Sequence, residues 1–447
     1  MKRLFLLIIT IAFLGAQGKA QSAATPLSLQ DCYNYAMHHN YAIKNADLNV
    51  LIQKAQIDET LAQAYPHVNG SYGFTDYLKA PATFVPNSFF GKMPSNGFTA
   101  VTFTPQYSSA PAINASQVLY DPNVAIAMQA KKTILESAER ATELSYEAVK
   151  YYIYRSYNSL VIAYRQFDIL KTSLAYARSI EHDVQVTQAT GFAEKIDVER
   201  SNVQVNNLSI DSMRVQNQLT LAEQMLKFQI GMDVNTPIIL SDTALETRKQ
   251  EAQSLLLTEE SYDKVPMFNL MQTIGKLNEF NVKRYKLNAY PSVMATGGIG
   301  YNFSTIDFGD MFKPEKYLFY SLVGFQVNVP IYNGHVRINQ LREANLNVEK
   351  TNNSIDSLKQ AIDFQVTSSR TSLRNAILQL RSQRNNIDVA EDVLELARKK
   401  YKAGVGSNLE VTQAQTDLLM AQNNYFGTLL DLVNAEADLK KALGLLK

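Results

Sequence analysis

Cysteine occurs once in the 447-residue chain, at Cys32, which excludes a disulfide framework and a cysteine-built zinc site. Histidine is nearly as scarce. His38, His39, His67, His182 and His335 are scattered, and adjacent His38 and His39 cannot share one side of a helix, so no metal site is expected. Charge of one sign is also missing, with 43 Lys+Arg against 42 Asp+Glu. Three of those bases, Lys2, Arg3 and Lys19, fall in the first twenty residues. That balance argues against a nucleic-acid partner, which calls for a basic face. Mean hydropathy is −0.17, and no apolar run long enough for a membrane helix follows the start, which excludes a polytopic helical membrane protein. There is no P-loop, nucleophile elbow or zinc motif. The run Gly297-Gly298-Ile299-Gly300 sits in a strand pattern and opens no helix, so it is no nucleotide fingerprint. Neither an enzyme nor a cofactor is expected.

What is present begins with an address. Lys2 and Arg3 precede an apolar stretch over 4–14, and Gly18 and Ala20 supply small residues for cleavage before Gln21. The stretch is too short to span a bilayer, so residues 1–20 read as a signal peptide. Cys32 lies far past that stretch and follows Leu29-Gln30-Asp31, a poor context for lipidation. The protein is expected to be exported.

The chain then repeats itself. Ala64-Tyr65-Pro66 recurs as Ala289-Tyr290-Pro291, and Leu119-Tyr120-Asp121 as Ile331-Tyr332-Asn333. Gly191, Ile196, Asp197 and Val198 recur at the same spacing as Gly404, Leu409, Glu410 and Val411, and 226–231 recurs as 439–444. Four landmarks in one order indicate a duplication. It divides the chain into a first repeat at 21–232, a polar linking segment at 233–258 and a second repeat at 259–447, with an insertion between Pro66 and Leu119.

Within each repeat most of the periodicity is helical. Heptad stripes run from Ala138 to Thr187 and from Val366 to Tyr401 and are built largely from small residues, which let helices approach closely. Residues 123–190 and 335–403 contain no proline, and each spans about 100 Å as a helix. The flanking stretches 28–64 and 195–230 are about half as long, so two of them stacked match one long helix. The pattern describes a rod or tube.

Pro66 and Pro291 each stop a helix, and the period then changes from 3.6 to 2. Hairpins follow at 66–118 and 291–330, with strands expected over 67–77, 105–118, 293–303 and 317–329 and loops at 79–104 and 304–316. The strands are long enough for a tilted membrane crossing. Four strands cannot close a barrel, and lipid tolerates no open sheet edge. Other copies must complete it: two give eight strands, filled by side chains, and three give twelve, which agrees with a hollow tube below.

Ser116-Gln117-Val118-Leu119-Tyr120-Asp121, Val329-Pro330-Ile331-Tyr332-Asn333-Gly334 and the stretch from Tyr401-Lys402-Ala403-Gly404 to Val411 resemble the TolC-like outer-membrane efflux family. The resemblance covers essentially the whole mature chain. It implies a mainly α fold with a small transmembrane β part, two duplicated helix–hairpin–helix units, and a homotrimeric twelve-strand barrel continued by a long periplasmic helical tunnel. It implies the outer membrane of a Gram-negative bacterium, with outer-membrane lipid around the barrel. A periplasmic adapter and an inner-membrane pump would be the partners of a passive exit duct. A duct for protein secretion, or a periplasmic coiled-coil scaffold, are the alternatives.

Gly191 and Gly404 end the long helices, where a left-handed residue permits reversal. In the family such tips meet the adapter, which makes Gly191, Phe192, Gly404, Val405 and Ser407 docking candidates, with plain helix capping as the alternative. The family's periplasmic constriction uses acids just inside the tips with a tyrosine. Asp197, Glu410 and Tyr401 match it; Gln413 stands where a second acid is expected and Gly406 where a gate arginine is expected. In a trimer each acid becomes a ring of three, a cation-attracting filter. The other reading is that of solvated acids placed well against the helix dipole.

Overall fold

The computed structural model describes residues 26–91, 96–241 and 248–446. Residues 1–20 and Pro94 lie outside them. The described chain falls into two compact units. One gathers the described residues of Met1–Val50, Ser137–Gln272 and Asn353–Lys447, and the other those of Leu51–Glu136 and Thr273–Asn352.

The elements in chain order are β1 (Pro26–Leu27), α1 (Leu29–His39), α2 (Tyr41–Ala62), β2 (His67–Asp76), β3 (Thr83–Pro86), β4 (Phe98–Val101), β5 (Tyr107–Tyr120), α3 (Pro122–Ala189), α4 (Lys195–Ile230), β6 (Ile239–Leu240), α5 (Arg248–Leu256), α6 (Pro266–Leu287), β7 (Ser292–Thr305), β8 (Leu318–Asn328), α7 (Val336–Lys402) and α8 (Asn408–Ala442). α3 and α7 are unbroken over 68 and 67 residues. Among the described residues no helix is long and apolar enough to cross a membrane.

In the first unit the stretch read as one helix over 28–64 is two. Ser28 caps α1 in a capping box with Asp31, satisfying orphan N–H groups at the helix start. Asn40 then breaks the helix. Its backbone is extended, its Oδ1 accepts from the Ala42 and Ile43 amides at 2.7 and 3.3 Å, and its Nδ2 donates to the Gln229 carbonyl at 2.6 Å. One buried side chain thus ends α1, starts α2 and holds both to the end of α4. Cys32, Ile43, Ile153, Tyr157, Leu226 and Ile230 share the core beside it. Burial pushes the Cys32 thiol up to about 12, with the Asp31 charge adding to it, so this thiol is inert.

A second core joins Val366, Leu373, Leu429, Leu432, Leu439 and Phe268. The segment 233–258 is less of a polar link than its composition suggests. Ile238, Ala252 and Leu255 are buried, and β6 pairs parallel with β1 through Pro26↔Ile239 and Leu27↔Leu240.

The second unit holds a four-stranded antiparallel sheet in the order β2-β5-β7-β8. Its register decides which side chains share a face. The pairs Tyr72↔Pro111, Ile113↔Ile299, Gly297↔Val323, Ala295↔Phe325 and Tyr301↔Phe319 line one side. Asn69↔Asn114, Ser116↔Thr296, Thr296↔Gly324 and Met294↔Gln326 line the other. One face is apolar, the other largely polar. The apolar face is bare, with Val323 95% and Phe325 78% exposed. The strands β2 and β8 are the unpaired edges. The loop expected at 79–104 contains a two-stranded ribbon of its own, β3 with β4, which Thr99 braces by donating to Asn87 Oδ1 at 2.7 Å.

Candidate functional site

The two hairpin tips are built alike. Gly191 and Gly404 have φ of 83° and 73°. Gly191 N–H donates to the Gln188 carbonyl and Phe192 N–H to the Thr187 carbonyl, both at 3.0 Å. Gly404 and Val405 repeat this with Tyr401 and Lys400 at 3.0 and 3.1 Å. Each long helix therefore ends in a Schellman motif, which satisfies carbonyls the helix leaves orphaned. The reversal leaves Phe192 86% and Val405 78% exposed. Ser407 caps α8, its hydroxyl accepting from the Glu410 amide at 3.3 Å. Gly406 packs so tightly that a Cβ there would lie 2.8 Å from the Lys400 Cβ.

The four gate candidates occupy two places. Asp197 is half-buried in the first turn of α4, 3.9 Å from Arg200. Tyr401 packs against the cluster of Leu394, Ala397, Val411 and Ala414. Burial raises its hydroxyl pKa, and the charges of Asp197 and Asp183 raise it further. Glu410 and Gln413 instead line an open groove of about 450 Å³ with Val393, Leu396, Lys400 and Asp417. Both are exposed, and Gln413 Nε2 donates to Asp417 Oδ1 at 2.9 Å. Within one chain Asp197 and Tyr401 act on each other, while Glu410 and Gln413 face a separate groove.

Sequence reasoning missed the polar bridge that ties the tips together. Asn408 is buried at the start of α8, and its Nδ2 donates to Ser201 Oγ at 3.2 Å and the Asp197 carbonyl at 3.4 Å, both on α4. Ten residues before it on α7, the Arg398 guanidinium lies 3.6 Å from the ring centroid of Tyr176 on α3 and donates to Gln415 Oε1 on α8 at 3.3 Å. Burial raises the Tyr176 hydroxyl pKa, and Arg398 opposes that shift. The signal was there: Asn408, Val411, Gln415 and Leu418 follow 3-4 spacing, so two polar residues interrupt an apolar stripe. Asn408→Leu removes both bonds to α4 and leaves the Asp197 carbonyl and Ser201 to find other partners, a loss of about 1–3 kcal/mol. Amides at 195–205 are then expected to exchange hydrogen faster, with those at 149–160 unchanged.

Residues 281–445 match the family described as outer membrane efflux protein. The probable efflux pump outer membrane protein TtgC of Pseudomonas putida is 23% identical over 439 residues, covering 93% of this chain and 83% of that protein. The probable outer membrane lipoprotein SilC of Salmonella typhimurium is 22% identical over 92% of this chain and 84% of its own. Two solved structures share the fold. The outer membrane protein VceC of Vibrio cholerae superposes with a TM-score of 0.67 at 15% identity, covering 93% of this chain and 96% of that one. CusC superposes with a TM-score of 0.69 at 18% identity, covering 95% of each. A family match over 281–445, relatives aligned along more than nine-tenths of the chain and a shared mainly helical fold with a small β part agree: this chain is similar along most of its length to outer-membrane efflux proteins.

Proposed function

We propose that this protein is the outer-membrane exit duct of a tripartite efflux system, a passive channel for small molecules delivered by an inner-membrane pump through a periplasmic adapter. The sheet carries the reading. It has one bare apolar face, a largely polar opposite face and two unpaired edges. In lipid such a sheet is stable only when its edges close against other copies. Three copies give twelve strands with polar side chains lining water. A periplasmic scaffold has no use for a bare apolar face, so the sheet weighs against that alternative. Residues 1–20 serve as the export signal, and the repeats at 21–232 and 259–447 each contribute one hairpin. Cys32 is fully buried, which weighs against its carrying a lipid. The protein performs no reaction, and energy comes from the pump.

Deleting the gene tests this. Greater susceptibility to antibiotics, detergents or bile salts, reversed by the intact chain, is the expected result. One observation favours a second reading: the alkaline protease secretion protein AprF of Pseudomonas aeruginosa is 27% identical over 124 residues, or 28% of this chain. Loss of a secreted protein without altered susceptibility would assign the duct to protein secretion.

The gate belongs to the same proposal. Gly191, Phe192, Gly404, Val405 and Ser407 are the surface offered to the adapter, and Asp197, Tyr401, Glu410 and Gln413 narrow the mouth. Three copies of Glu410 form an acidic ring that favours cations. Glu410→Lys is expected to shift the reversal potential across a salt gradient toward anions and to abolish block by trivalent cations, with assembly intact. An unchanged reversal potential would make Glu410 an ordinary solvated acid.

A further inference from the structure

The helices that enter the sheet carry opposite charge at its two edges. Residues 55–66, leading into edge strand β2, hold Asp58 and Glu59 and no base, and residues 329–342, leaving edge strand β8, hold Arg337 and Arg342 and no acid. The acids stand 9 and 8 residues before the start of β2, and Arg337 stands 9 residues after the end of β8. Glu59 and Arg342 are exposed, and Arg337 is half-exposed. Asp58 pairs with Lys131 at 3.0 Å, while Glu59, Arg337 and Arg342 make no ion pair among the described residues. Apolar side chains flank both sets. Leu51 and Ile52 are exposed on α2 about two turns before Glu59, and Ile338 and Leu346 are exposed on α7 four residues either side of Arg342.

The sheet order brings these segments to a common boundary. β2 and β8 are antiparallel, as each neighbouring pair in the sheet is. A β8 edge of one copy therefore meets the β2 edge of the next in the usual antiparallel sense, with both helix-joined ends at the same rim. We infer that neighbouring copies of this chain are keyed together below the sheet by opposite charge, with Arg337 and Arg342 of one copy against Asp58 and Glu59 of the next. This rests on the trimeric duct proposed above. Backbone hydrogen bonds at an edge do not themselves read side chains, and a slip of two residues keeps the apolar face outward. A basic segment that fits only an acidic one selects β8–β2 over β2–β2 or β8–β8 contacts, which would set like charges together. Exposed single ion pairs contribute little, but here the set recurs at every boundary of the ring.

The test is charge exchange in the full-length protein, read as the trimer surviving a heating series of outer membranes on semi-native gels. The pair Arg337→Glu/Arg342→Glu is expected to leave about tenfold less trimer at the wild-type midpoint, and Asp58→Lys/Glu59→Lys the same. Joining all four in one chain restores opposite charge and is expected to recover the trimer to within about twofold. If a reversed pair fails to reach the membrane, Glu59→Gln and Arg342→Gln replace it, and their combined effect must be smaller than the sum of the two. A fourfold exchange no better than either half overturns the inference. So does weakening by the arginine pair alone that vanishes when the protein is reconstituted in phosphatidylcholine without phosphatidylglycerol, because the arginines would then serve lipid headgroups. A wild-type protein that runs as a monomer contradicts the trimer itself, a different result from either.

Discussion

Replacing Val323 with arginine is expected to remove this protein from the outer membrane. Val323 lies in the middle of β8, opposite Gly297, and is 95% exposed on the apolar face. An arginine near the bilayer midplane of a barrel costs about 2–4 kcal/mol. A trimer carries three, for a total of about 6–12 kcal/mol. That rivals the whole stability of an ordinary domain. The expected result is degradation or a soluble misassembled pool in place of a heat-sensitive oligomer in the membrane fraction. Thr296→Lys, on the polar face of the same sheet, is the control and is expected to insert. Equal tolerance of both would mean that the apolar face does not meet lipid.

Gly444→Ala is expected to loosen the core at the C-terminal end of α8 while leaving the tips intact. Gly444 ends α8 at φ 66°, in the same motif that closes the tips, with its amide donating to the Lys441 carbonyl at 3.0 Å and that of Leu445 to the Lys440 carbonyl at 2.8 Å. A Cβ here would stand 2.1 Å from the Lys264 carbonyl oxygen, a distance at which backbone must move. The left-handed conformation alone costs alanine about 1–2 kcal/mol. Displacing 262–265 also loosens Val265, Phe268, Leu443 and Leu446 in the shared core, for a total on the order of 3 kcal/mol or more. The duplication supplies a companion. At Gly231 a Cβ would lie 2.6 Å from the His39 carbonyl oxygen, so Gly231→Ala is expected to act alike in the other repeat. Gly191→Ala, with nothing within 4 Å, bears the conformational cost alone. Thermal unfolding followed by circular dichroism should rank Gly444→Ala and Gly231→Ala well below Gly191→Ala; equal melting of all three would contradict the packing.

The long helices were legible because proline and glycine mark their ends and a stripe of small residues runs through them. The second hairpin was legible because its alternation is clean: Val293 to Phe303 places every second side chain on the apolar face. The first was harder, since Pro111 and Gly70 stand within its apolar face. Asn40 broke a helix with no proline or glycine to announce it; its side chain caps α2 through the Ala42 and Ile43 amides, and its bond to Gln229, far away in sequence, fixes the break there. Ile238, Ala252 and Leu255 looked like scattered apolar residues in a polar link, and partners distant in the chain bury them. At the tips, glycine spacing located the reversals. Which faces Asp197 and Glu410 present depends on how four helices pack, and the polar pair Asn408 and Gln415 does that packing from positions that alternation reserves for apolar residues.

The most direct measurement of the central claim is the current through the purified full-length oligomer in a planar bilayer, with no adapter or pump added. The proposed duct, closed into a barrel and narrowed by acids at the helix tips, predicts discrete, small, cation-preferring conductance steps. Inserted protein that passes no current at any voltage would contradict the account.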